Sequence, residues 1–359
     1  MRYTYFLSLL LCVLPFYLTA QNAPGAKLEY ADDTQLAQWN KDVLKTYRAY
    51  IRDSTVVTGV MIIHRGKIVF EYGDIEEISY IASCRKSVLA MLYGEHVENE
   101  TIDLSETIGD LKIDDVEGIL PIEKSANVQD LISARSGVYH PEGYGGGMQE
   151  YAPERGSQKP GTYWLYSNWD FNVAGYVFEE KTGRNIYDEV ERQLAIPLGM
   201  NDWDRSLQHK AGNTAISKYL AYPMWFSTRD MARIGQLMLN EGNWNGKQLI
   251  SSEWIGEMIA QRTSTKEINQ NVPNFRNSGV NFGYGYMWWL FEDVDDPKLN
   301  SAFTASGAYG QAITVYPSIE TVLVYKTKAA YQRANTRTAR IKLMTDAVKA
   351  FEGSVIGLD

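Results

Sequence analysis

Two β-rich stretches stand at opposite ends of this chain. Residues 56–63 and 67–72 are dense in β-branched and aromatic side chains, and His64-Arg65-Gly66 between them reads as a hairpin turn. Residues 282–290, 311–316 and 321–325 alternate or run apolar in the same way, with Pro317-Ser318 as a turn. What lies between is helical or rich in Gly and Pro. Strands so placed bury their faces by joining into one sheet. This predicts an α/β (α+β) chain: an antiparallel sheet made from the N- and C-terminal parts, flanked by helices, with a mainly helical second lobe inserted. The boundaries read as 27–95 and 271–352 for the sheet lobe and 96–270 for the helical lobe, within a single domain spanning 21–359.

The helices are legible by their caps and spacing. Residues 33–50 form one predicted helix, with Asp32 or Asp33 as cap and Leu36, Trp39, Val43, Leu44 and Tyr47 on one stripe. A short helix over 128–134 ends at Ser136-Gly137, and 141–162 is a long irregular segment. Residues 169–181 read as a buried helix stopped by Gly183. Thr228 caps a helix over 228–239, 252–259 is another, and 335–351 closes the chain.

Composition bounds the function. The 359 residues are 45% hydrophobic and 22% charged, an ordinary globular balance. The net charge is −9 and the Lys and Arg residues are scattered, so no basic face for nucleic acid is present. Residues 1–20 read as a cleaved secretory signal: Arg2 is the positive start, 6–18 is almost wholly apolar, and Thr19-Ala20 precedes Gln21. The expected location is therefore outside the cytoplasm, in a periplasm, with no stable membrane insertion once the signal is removed. The rival readings are an uncleaved anchor and a lipid anchor at Cys12, the latter disfavoured by the bulk of Leu11. The chain's other cysteine is Cys84, so signal removal leaves no intrachain disulfide.

The sharpest chemistry lies in Ser83-Cys84-Arg85-Lys86, followed by the apolar run Ser87-Val88-Leu89-Ala90-Met91-Leu92. Residues three apart share a helix face. A serine at a helix start sits where free N–H groups and the dipole favour developing negative charge. Burial lowers a lysine pKa, and a neutral Lys86 can take the Ser83 proton. By chance, a serine and lysine so spaced occur about once per chain of this length, so the pair alone carries little. A Cys84 nucleophile is the rival, without a sign of partnership from His64, His96, His140 or His209. The second element is Tyr166-Ser167-Asn168, after Pro160-Gly161-Thr162. Tyr166 can shuttle protons if nearby positive charge favours its phenolate. Asn168 can orient a lysine or a carbonyl through its amide. The third is Ala305-Ser306-Gly307-Ala308-Tyr309-Gly310, whose small residues let a substrate approach the backbone. There the N–H groups of Ala308 and Ser83 can form an oxyanion hole.

In this order and context the three elements resemble the serine β-lactamase and penicillin-binding-protein superfamily. Further family-like stretches are Val128-Gln129-Asp130-Leu131-Ile132 with Ser136-Gly137, Ser227-Thr228-Arg229-Asp230-Met231-Ala232-Arg233-Ile234-Gly235, and Tyr284-Gly285-Tyr286. The resemblance covers about residues 27–350 and is greatest to the class C-type branch of esterases, D-peptidases and 6-aminohexanoate-dimer hydrolases. It implies a β-lactamase/transpeptidase-like fold. It makes Ser83 the acylated nucleophile, Lys86 its base, Tyr166 the proton shuttle, and Ser83 with Ala308 the oxyanion hole. Substrate contacts would come from Asn168, Gly307, Tyr309 and Trp169. Of the aromatics near the motifs (Trp164, Trp169, Trp225, Trp288, Trp289, Tyr309), Tyr309 and Trp169 are the first expected in the pocket.

One departure matters. β-Lactamases usually carry Lys-Thr-Gly at the third motif and D-peptidases often His-x-Gly, whereas this chain has Ala305-Ser306-Gly307. The cation that would hold a substrate carboxylate is missing there, a loss of roughly 1.5–3 kcal/mol. Gly307-Ala308-Tyr309-Gly310-Gln311 instead resembles the aminohexanoate hydrolase version. The expected activity is cleavage of small esters or linear amides through an acyl-serine. The alternatives are a β-lactamase or D-alanyl-D-alanine carboxypeptidase-type enzyme, and a catalytically silent binding protein. No cofactor, metal or nucleotide motif appears.

Overall fold

The computed structural model describes residues 27–275 and 280–357. The segment read as a secretory signal, with Cys12, lies outside the described residues. Eight strands form the main sheet: β1 (Glu29–Tyr30), β2 (Gly59–His64), β3 (Lys67–Gly73), β4 (Asn281–Tyr284), β5 (Trp289–Glu292), β6 (Phe303–Gly307), β7 (Gln311–Tyr316) and β8 (Thr321–Lys326). Their order is β1-β3-β2-β8-β7-β6-β5-β4. The two ends of the chain meet where β8 pairs antiparallel with β2, Thr321 opposite His64 and Lys326 opposite Gly59. The expected antiparallel sheet is present with one exception, the edge strand β1, which runs parallel to β3.

The three central strands β2, β7 and β8 are buried at every residue, so both faces of the sheet are covered. Helix α4 (Thr228–Leu239) covers one face. Its Gly235 permits close approach, since a Cβ there would stand 2.4 Å from Val322 Cγ1. Helices α1 (Lys41–Ser54) and α5 (Arg337–Lys349) cover the other. Tyr47 donates its hydroxyl proton to Leu343 O, and Tyr316 to Met344 O. The chain between β3 and β4 carries only two-residue strands. One of them, Ser79–Tyr80, pairs with Trp225–Phe226 and leads into a helix that packs on β6 and β7. Among the described residues no helix is long and apolar enough to cross a membrane.

Three local departures have plain causes. The predicted helix over 33–50 is two helices, Asp33–Leu36 and α1, because both Asp32 and Asn40 act as caps. The Asn40 side chain accepts from the N–H groups of Asp42 and Val43, and Trp39 between the helices bridges to Phe351. The run 282–290 is a hairpin rather than one strand. It turns between β4 and β5, where Met287 has φ 59° and a Cβ on Gly285 would lie 2.2 Å from Met258 O. The cap of α4 is Ser227, whose side chain accepts from Asp230 N, and Thr228 is already helical.

Candidate active site

Ser83 stands at the start of α2 (Cys84–Glu98) as its N-terminal flanking residue. Ala82 before it takes φ 49°, a left-handed turn that swings the chain from Ser79–Tyr80 into the helix. Every residue from Cys84 to Gly94 is buried, whereas Ser83 is half-buried. Over this stretch the helix is buried on every side, Arg85, Lys86 and Ser87 included, and its N-terminal tip reaches a cavity.

Tyr166 comes from the stretch ahead of α3 (Asn168–Thr182). Its ring stacks on Trp289 at 5.6 Å and lies 4.9 Å from Phe171. Met148 N donates to its carbonyl. Lys86 Nζ lies 3.1 Å from Ser83 Oγ and 2.8 Å from Tyr166 Oη. Hydroxyl, amine and phenol thus converge from segments 80 residues apart.

The electrostatics decide where the protons sit. Burial, then the Arg85 guanidinium, hold the Lys86 amine well below the ordinary lysine range, with Glu142 pulling the other way. Burial pushes the Tyr166 phenol upward, outweighing the opposite effects of the Ser83 hydrogen bond and Arg85. The two shifts favour a proton on the phenol and an uncharged amine on the lysine; the condition for a phenolate, a positive charge strong enough to outweigh burial, is not met at Tyr166. Cys84 is fully buried and burial pushes its thiol up, so it is held as an unreactive thiol.

A cavity of about 300 Å³ opens over this group. Ser83, Tyr166, Ser306, Gly307 and Ala308 line it, with Gly146, Gly147 and Met148 from the glycine-rich loop and Phe275, Phe282 and Trp289 as an aromatic wall. Among the described residues neither the Ser83 nor the Ala308 N–H donates elsewhere, so both are free to meet a carbonyl oxygen in the cavity. Gly307 has a second reason to be glycine: a Cβ there would stand 2.7 Å from Ile81 O. Its smallness lets β6 close on the segment that leads into Ser83.

The structure puts three expected substrate contacts elsewhere. Asn168 is buried against the glycine-rich loop and off the cavity lining, where Nδ2 donates to Tyr144 O at 3.2 Å and Gly145 O at 3.0 Å. Trp169 is fully buried and its indole N–H donates to Asp115 at 2.8 Å. Tyr309 sits on the β6–β7 turn at φ 66°, 39% exposed and off the cavity lining. Of the aromatics expected near the motifs, Trp289 is the one that lines the cavity.

Other residues were not anticipated. Glu142 accepts from Gly147 N and Asn168 N, both at 2.9 Å, tying the glycine loop to the start of α3. Arg337, Arg340, Ile341 and Met344 present one face of α5 to the cavity. Arg340 donates to Gly307 O, and Arg337 lies 3.8 Å over the Phe275 ring. Among the described residues neither arginine has a carboxylate partner, and burial with the neighbouring Arg340 lowers Arg337 to about 10. The signal that could have found them is the i, i+3 arginine pair on a helix otherwise packed under the sheet.

Glu95, His96 and Glu189 group closely enough to suggest a metal site. Arg192 already pairs with both carboxylates, and Arg184 also pairs with Glu189. The group is an ion-pair network.

This is the fold of the β-lactamase-type hydrolases. It is shared with a Bacillus anthracis protein described as a 6-aminohexanoate-dimer hydrolase (TM-score 0.62, 20% identity, covering 83% of this chain and 80% of that one). A family VIII carboxylesterase superposes with TM-score 0.61 at 16% identity over 90% and 99% of the two chains. A class C beta-lactamase does so with TM-score 0.61 at 14% identity over 88% and 97%. Residues 48–345 match the Beta-lactamase family, and the chain belongs to it. No curated protein sequence matches.

Proposed function

We propose that this protein is a serine hydrolase that cleaves small esters or linear amides through an acyl-Ser83 intermediate. The observation that carries the reading is the buried Lys86 amine within hydrogen-bond reach of both Ser83 Oγ and Tyr166 Oη. Lys86 takes the Ser83 proton as Oγ attacks the carbonyl carbon, and the oxyanion forms against the Ser83 and Ala308 N–H groups. Collapse expels the alcohol or amine, which takes the Tyr166 phenol proton, and the Lys86 ammonium restores it. Water then enters by the reverse relay and releases the acid.

The cavity supports an apolar substrate body with an anionic end. Its walls are aromatic and aliphatic, and Arg337 and Arg340 are its cations. The charge absent from the third motif is thus supplied by α5, which also favours the second reading, a β-lactam or D-alanyl peptide carboxylate. Export to the periplasm on residues 1–20 is part of the proposal, supported by the sequence pattern.

A fluorophosphonate probe followed by intact mass analysis tests the mechanism. One adduct on the wild type is expected. None, under conditions that label a class C relative, favours a silent binding protein. Turnover of 4-nitrophenyl esters, linear amides and a chromogenic cephalosporin ranks the substrates. Rapid cephalosporin turnover without ester activity reverses the ranking proposed. Within the esters, a 4-nitrophenyl monoester of a linear dicarboxylic acid should surpass its neutral isostere. R337Q and R340Q should each cost the anionic ester roughly ten- to hundredfold in kcat/KM, with the neutral ester nearly unchanged.

A further inference from the structure

We propose that Arg85, buried beside the catalytic lysine without a carboxylate partner, keeps Lys86 in its amine form between turnovers. The inference rests on the acyl-Ser83 reading and adds a positioning residue to it. Arg85 is only 1% exposed. Among the described residues no acidic side chain pairs with it, and its Nε and Nη1 are buried without an acceptor. Its guanidinium lies instead 4.6 Å over the Tyr222 ring and 6.0 Å from that of Tyr144.

That choice of partner is the argument. A carboxylate would stabilise the buried guanidinium but would also cancel its field. An aromatic face stabilises the cation through its quadrupole and leaves the net charge in place. Arginine does not deprotonate in proteins, so the charge is constant at every working pH. It bears on the two proton-handling groups in the same sense, lowering Lys86 and, against the larger effect of burial, Tyr166. The other ionisable groups around Lys86 do not duplicate it. Cys84 is a neutral thiol, Tyr166 a neutral phenol, and burial raises Asp170 on α3 well above the carboxylate range. Glu142 on the glycine loop is the opposing charge. Arg340 on α5 acts on Cys84 and is not among the groups that move Lys86.

The test is the pH dependence of kcat/KM for a neutral activated ester, which keeps substrate charge and the α5 arginines out of the reading. In the wild type the rate should rise through an acid limb well below the ordinary lysine value of about 10.4. R85M should move that limb upward, so that activity one pH unit below the wild-type limb falls about tenfold while the alkaline plateau changes little. Y144E, which offers Arg85 a carboxylate and removes no cation, should move it the same way. This second variant decides the matter if R85M does not fold. A wild-type limb in the ordinary lysine range overturns the inference. So does an unmoved limb in whichever variant folds, since a packing role lowers the plateau without shifting it. If the wild type is never acylated at any pH, the hydrolase reading itself has failed; if it is acylated and the limb stays put, only the role of Arg85 has.

Discussion

Ser83→Ala is expected to lower kcat/KM by roughly 10⁴-fold or more for every substrate that the wild type turns over, and to abolish the probe adduct. Losses of that size follow when the nucleophile of a cooperating group is removed. The fold should survive. The Ser83 side chain makes no capping hydrogen bond, and its φ of −73° and ψ of −8° suit alanine. Lys86 keeps Tyr166 as a partner. Equal melting temperatures with no turnover would therefore assign the loss to chemistry. An adduct that persists would move the nucleophile to Cys84, the neighbouring residue, whose burial argues against it. Measured by intact mass and by ester progress curves on the same preparations, the two outcomes are distinct.

The sheet and the convergence of Ser83, Lys86 and Tyr166 were legible for different reasons. The strands β2, β7 and β8 read as near-continuous apolar runs because they are buried on both faces, and their β-branched residues leave little else to fit. The meeting of Ser83, Lys86 and Tyr166 was legible through the order and context of the three motifs, since the Ser83–Lys86 spacing alone carries little. Breaks within apolar stripes were not. The helix over 33–50 keeps its spacing through Trp39, and only the Asn40 cap divides it. The strand over 282–290 conceals a turn whose need comes from Met258, a residue distant in the chain. Both are tertiary decisions that local pattern does not record.

The cavity wall was the least legible part. Trp169 and Asn168 adjoin Tyr166 in sequence, yet helix α3 turns them inward, toward Asp115 and the backbone of the glycine loop. Adjacency to Tyr166 says little about facing the cavity when the helix begins between them. Arg337 and Arg340 lie far along the chain from all three motifs and enter because α5 crosses the sheet face beside β6. The missing lysine of the third motif thus read as a missing charge. The fold supplies charge to the same cavity from another element, a substitution only three-dimensional proximity reveals.

Lys86→Met is expected to separate function from stability. Turnover should fall by roughly a thousandfold, the usual scale for loss of a positioned general base. Thermal stability at pH 7 should rise. The folded-state pKa of Lys86 lies below its unfolded value, chiefly through burial and then through Arg85. Near neutrality the unfolded chain therefore binds a proton that the native state does not hold, or holds only at a cost. That linkage destabilises the native protein at every pH below the ordinary lysine value and disappears as pH rises through about 10.4, where both states are neutral. Methionine removes the titration and fills similar apolar space, while Ser83 and Tyr166 keep the cavity to face. The melting temperature of the variant should exceed that of the wild type at pH 7, and the difference should shrink toward pH 10. A variant that melts lower at pH 7, or whose gain does not depend on pH, would mean that Lys86 is held as an ammonium. The proton acceptor for Ser83 would then have to be sought in Tyr166, with Arg85 and Lys86 acting together to favour its phenolate.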